Sequence, residues 1–239
     1  MQLSDIDTKL DDYSNVLEKA EELVIHQIER KMIELSESMK SFHQKWTEYK
    51  VNTGKMNIGK CTESDYFDLR ESLAKLKAKI NVVNGEAASI AVEELTLTEL
   101  ETIESEIELF IKARNLANVY SAEFNALSGR MWISLRNDLV KISQFIIKWK
   151  RDVAQLDGVI DICNGDFQYL KEIGSIVPIL KYCTGEDFKE VHWTELLQGR
   201  LQLSTAISIE SLQFRHFIEA YEILLEPSSI SYIEDLQNR

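Results

Sequence analysis

From Ser4 to Val51 the apolar positions recur in alternating steps of three and four: Ile6, Leu10, Tyr13, Leu17, Ala20, Val24, Ile28, Met32, Leu35, Met39, Phe42, Trp46 and Tyr49. That spacing is the narrow seam of a coiled coil and predicts one long helix. From Val24 to Leu35 the steps are four, four and three, an eleven-residue unit that locally unwinds a left-handed supercoil. Acids at the start (Asp5, Asp7, Asp11, Asp12) and bases at the end (Lys40, Lys45, Lys50) suit the helix macrodipole. At about 1.5 Å per residue such a helix runs on the order of 70 Å, which points to an elongated molecule.

Asn52 to Cys61, with Gly54, Asn57 and Gly59, breaks the rhythm and reads as a loop. A second helix is expected from an N-cap at Ser64, with Leu69, Leu73, Leu76, Ile80 and Val83 on one face and a stop at Gly85. A short helix is expected over Glu86 to Leu95. Thr98-Glu99-Leu100-Glu101 has the form of a capping box and should start the next long helix. Its stripe is Leu100, Ile103, Ile107, Phe110, Ala117 and Phe124, interrupted by Arg114 and closed by Gly129. A fourth helix carries Trp132, Leu135, Leu139, Ile142, Ile146, Trp149, Val153 and Leu156, then Gly158. Past that glycine the helices shorten, and Gly165, Gly174, Pro178, Gly185 and Gly199 are expected to interrupt them. A weak strand candidate lies at Thr205 to Ile209. The expected fold is therefore all-α and elongated: a long coiled-coil-like helix over 1–53, an antiparallel helical bundle over 64–157, and a shorter-helix subdomain over 158–239.

Composition sharpens this picture. With 44% apolar residues in 239, the chain can bury a real core, and two prolines and nine glycines are few for a loop-rich fold. The net charge of −13, from 40 acids against 27 bases, repels phosphate backbones and anionic headgroups, so neither nucleic acid nor membrane is an expected partner. The polar, acidic opening is no secretory signal. Cys61, Cys163 and Cys183, widely spaced and odd in number, fit free thiols in a reducing compartment.

The sharpest chemical temptation is Gly54 to Thr62, which nearly satisfies the phosphate-cradling pattern G-x-x-x-x-G-K-[ST]. Cys61 stands where that loop needs a hydroxyl for magnesium, and a helix rather than a buried strand precedes it. An ordinary interhelical loop accounts for it better. His26, His43, His192 and His216 lack metal-ligand spacing. Paired carboxylates such as Glu21-Glu22 and Glu93-Glu94 read as solvated helix faces. Trp46, Trp132, Trp149 and Trp193 read as core residues. No catalytic, cofactor-binding or metal-ligating residue is nominated, and no cofactor is expected.

One longer pattern remains. Trp132 to Trp149 reads W-x-x-L-x-x-x-L followed by an aromatic and a tryptophan. Then come Ile176-Val177-Pro178-Ile179-Leu180, Phe188, His192-Trp193-x-x-Leu196 and Ile207-Ser208-Ile209-Glu210-Ser211-Leu212. Residues 130 to 225 in this order resemble the region of dynein heavy chains that leads into the linker before the motor ring. There a proline-containing stretch precedes a His-Trp pair; Glu190-Val191 replaces the family's arginine-bearing residues before it. The resemblance implies a non-catalytic, mechanical segment whose nucleotide sites and microtubule-binding stalk lie elsewhere in a motor. Its implied partners are the rest of the motor and associated dynein chains, with the microtubule reached only indirectly, in the cytoplasm, cytoskeleton, cilium or axoneme. The residues leave open a second reading, a spectrin-like scaffold or vesicle-tethering subunit acting through helical-bundle contacts.

The near-miss loop gives a direct test. Magnesium-ATP at several hundred micromolar should leave the melting temperature unchanged, and Lys60→Ala should make no difference. A micromolar ligand at that concentration would add about 3 kcal/mol, readily seen in a thermal-shift titration.

Overall fold

The computed structural model describes residues 3–54, 58–156, 165–184, 188–203 and 207–238. The fold is all-α, with no strand among the described residues and one isolated antiparallel bridge between Met131 and Gln213. The chain divides into two compact units: Met1–Lys55 with Cys61–Ile111, and Met56–Lys60 with Lys112–Arg239.

The first unit is a bundle of α1 (Leu3–Gly54), α2 (Glu63–Ala88) and the first half of α3 (Thr98–Ser128). Ile28 packs with Val83 and Ala87, whereas Tyr49 meets Tyr66, so α1 and α2 run antiparallel. Ion pairs His43–Glu99 and Lys50–Glu106 place α3 parallel to α1, and Lys77–Glu104 sets it antiparallel to α2. Helix α1 unites 52 residues, about 78 Å at 1.5 Å per residue. It does not give way to a loop at Asn52. Thr53, 1% exposed, is packed into the core, and that burial carries the helix through to Gly54. Lys55, Met56 and Asn57 lie outside the described residues, and a 3-10 turn follows at Ile58–Lys60.

Helix α2 is capped two residues earlier than the expected Ser64. Thr62 is its N-cap, and its backbone N–H donates to the Asp65 carboxylate at 2.9 Å. The expected stop at Gly85 and the short helix over Glu86 to Leu95 are both absent. Gly85 lies on an open face with no atom near its Cβ position, so the helix passes through it at the usual cost of a mid-helix glycine, about 1 kcal/mol. The end comes at Ala91, in the left-handed region at φ 58°. Val92 N–H donates to Ala87 C=O at 3.0 Å and Ala91 N–H to Ala88 C=O at 3.5 Å, the paired bonds of a Schellman cap. Val92 and Ile90 then pack on the Ile28–Val83–Ala87 cluster. The returning segment is held by the Asn84 side chain, which accepts from Leu95 N–H and donates to Leu95 C=O, at 2.9 and 2.8 Å.

Thr98 sits within the first turn of α3 rather than ahead of it, since Glu101 N–H donates to Leu97 C=O. The α3 stripe is not interrupted at Arg114. It passes through Ala113, which is fully buried one position earlier, and continues through Ala117, Tyr120 and Leu127.

The second half of α3 belongs to the second unit, with α4 (Trp132–Leu135), α5 (Leu139–Val153), α6 (Gln168–Leu180), α7 (Glu190–Thr194), α8 (Phe214–Glu219), α9 (Tyr221–Leu224) and α10 (Pro227–Gln237). The expected single helix from Trp132 to Leu156 is split. Arg136–Asp138 leaves the helix, and α5 begins afresh after Asp138. The cause is tertiary: Trp132 N–H donates to Leu212 C=O at 2.7 Å and Phe214 N–H to Arg130 C=O at 3.0 Å, pinning the start of α4 to another segment. Pro178 lies inside α6. Residues 157–164, with Gly158 and Cys163, and Gly185 lie outside the described residues. So do Thr205 and Ala206 of the strand candidate; its remaining residues, Ile207 to Ile209, form no strand.

Ala91 adopts a backbone conformation that costs an L-residue about 1 kcal/mol and glycine nothing comparable. Ala91→Gly should therefore stabilise the first unit by roughly 0.5–1 kcal/mol. Urea unfolding would show a higher midpoint with an unchanged slope; an unchanged or lower midpoint would refute the cap assignment.

Candidate functional site

Two places carry the residues singled out by sequence: the Gly54–Thr62 stretch and the His192-Trp193 pair. At the first, two backbone amides are already committed. Ile58 N–H and Gly59 N–H donate to the two oxygens of Asp166, at 2.9 and 3.4 Å. Burial pushes the Asp166 carboxyl above its ordinary pKa, and the two amides and Lys60 only partly offset it. An internal anion thus takes the place an external one would occupy. Beside it lies an open cleft of about 400 Å³ whose wall includes Lys60, Asn118, Ser121 and Gln168.

The second place is the centre of the second unit's core. Trp193 is 2% exposed, and its ring meets Phe188 at 4.6 Å and Trp132 at 6.2 Å, both edge-on. Phe217 packs on both indoles, at 4.7 Å from Trp132 and 6.4 Å from Trp193. Four separate segments meet in this knot: α4, the residue before α7, α7 itself and α8. The backbone clip between Arg130–Trp132 and Leu212–Phe214 fixes two of them in register. The Nε1–H groups of Trp132 and Trp193 find no acceptor among the described residues. Shape and dispersion, not hydrogen bonding, hold these two rings.

His192 is buried and acts as a helix cap. Its Nδ1 accepts the Lys189 N–H at 3.2 Å, the role Glu or Gln plays at the third position of a capping box. His216 repeats the device at the start of α8, accepting Gln213 N–H at 3.0 Å. Because both accept at Nδ1, their remaining proton sits on Nε2. His26 pairs with Glu29 and His43 with Glu99 on exposed helix surfaces. No group of three metal-ligating side chains occurs among the described residues.

Beyond Trp193 the helix widens into a π-helical turn, Glu195–Arg200, closed by Leu201 N–H donating to Leu196 C=O at 2.8 Å. The wider turn lets adjacent Leu196 and Leu197 both face the core. Arg200 at its end donates to Ser229 Oγ and Glu226 Oε2, each at 2.7 Å, and also to Ser228 Oγ, clamping the start of α10. Sequence reasoning missed this clamp, because 26 to 29 residues separate its members and no local pattern marks it.

It also missed two carboxylates on α3. Trp46 Nε1–H donates to Glu106 at 2.5 Å, and Lys50 reaches the same oxygen at 2.8 Å. In the other unit Trp149 Nε1–H donates to Glu123 at 2.9 Å, and Lys148 binds that carboxylate while lying 4.6 Å over the indole ring. Burial acts to raise the Glu106 pKa, but the Lys50 and Trp46 hydrogen bonds outweigh it and hold the group below its usual range. Cys61 and Cys183 are buried thiols, and burial pushes the Cys183 thiol up to about 12, so it stays protonated at neutral pH.

No family model and no solved structure matches this chain. Its sequence is 26% identical over 226 residues to cytoplasmic dynein 2 heavy chain 1 of Chlamydomonas reinhardtii, covering 88% of this chain and 5% of that protein. The proteins of the same name from Mus musculus and Rattus norvegicus are each 19% identical over 249 aligned positions, covering 99% of this chain and 6% of theirs. The chain therefore spans about one twentieth of the length of these curated relatives. The likeness to dynein heavy chains extends well before Trp132, into helices whose sequence pattern alone is generic.

The His-Trp knot yields graded expectations. Trp193→Ala should cost on the order of 3–5 kcal/mol of unfolding free energy, and Trp193→Phe clearly less, because it keeps an edge-on ring and removes an unpaired donor. His192→Ala should cost about 1 kcal/mol, and His192→Gln less, since glutamine can accept the same N–H. Denaturant unfolding of the four variants gives the order; a neutral Trp193→Ala would sink the knot as a structural centre.

Proposed function

We propose that this chain is a non-catalytic, force-bearing segment of a dynein heavy chain, from the tail-to-linker part that precedes the motor ring. Similarity to dynein heavy chains over nearly the whole length supports the family-level part of this reading. The observation that carries the mechanical part is the Trp132–Trp193 knot. A segment that transmits load must not yield internally, and here four stretches of chain are locked by interdigitated rings, a two-bond backbone clip and two histidine caps. Among the groups with shifted pKa values, Asp166, Glu106 and Cys183 serve loop, helix and core contacts.

In this reading ATP is hydrolysed elsewhere in the motor, and the partners are the rest of the heavy chain and its associated chains, in the cytoplasm, cytoskeleton or cilium. Contact with the microtubule is indirect. No helix among the described residues is long and apolar enough to cross a membrane.

The test is Trp193→Ala in an assembled motor, with microtubule gliding and ATP turnover measured on the same preparation. Gliding velocity should fall several-fold while basal turnover stays near that of the parent. Equal loss of both, or no loss of gliding in a variant whose knot is demonstrably loosened by hydrogen exchange, would overturn the force-bearing role.

A further inference from the structure

We draw no further inference here: the strongest candidate, the open cleft between α3 and the start of α6 that Lys60, Asn118, Ser121 and Gln168 help to line, carries nothing, because these exposed side chains select no class of ligand and the two backbone amides beside it are already held by Asp166.

Discussion

A buried indole brings about 200 Å² of apolar surface into a helical core together with one N–H that water no longer reaches. In each unit of this protein one tryptophan meets that constraint through a carboxylate on α3. Trp46 donates to Glu106 and Trp149 to Glu123, and each carboxylate is held in turn by a lysine near the donating tryptophan. The three groups form a polar edge on an otherwise apolar contact. Sliding the helices by one turn would leave an indole N–H unpaired and a glutamate without its cation, so the register of each packing follows from these bonds. The remaining side chains of the α3 stripe, Leu100 through Leu127, can then interdigitate in only one way.

The two other tryptophans show the alternative. Trp132 and Trp193 leave their N–H groups without an acceptor among the described residues and are fixed by neighbours instead: Phe188, Phe214 and Phe217. Such a site tolerates no vacancy, because nothing but close packing holds it. The helices around it are short, and two of them are capped by their own histidines. The split between α4 and α5, the π-helical turn at Glu195–Arg200 and the Arg200 clamp are all places where ideal helix geometry yields to the core. A knot of this kind resists deformation while contributing no chemistry, which suits a part that carries load.

Much was legible from residue spacing alone. The long first helix, the all-α class and the buried roles of all four tryptophans follow from apolar periodicity, which is a local property of an amphipathic helix. The dynein-like order of Trp132, Pro178 and His192-Trp193 pointed to the family that similarity over the whole chain also indicates. Cys61 counts against the near-miss phosphate loop from the sequence alone, whereas the contact that engages its Ile58 amide, with Asp166, joins residues 108 positions apart.

Where helices end was the part that spacing misjudged, and the errors share a cause. Gly85 looks like a stop, yet a glycine only lowers the preference for helix by about 1 kcal/mol, less than the burial of Ala87 returns. Ala91 looks like a helix former, yet it takes the left-handed cap because Val92 must reach the Ile28 cluster. The sequence by itself determined which faces are apolar and how long each stripe runs, since those depend on a few neighbouring residues. Only the tertiary structure decided the breaks, the caps and the partners of buried polar groups, since those are set by contacts among residues far apart in the chain whose combined energy exceeds any local preference.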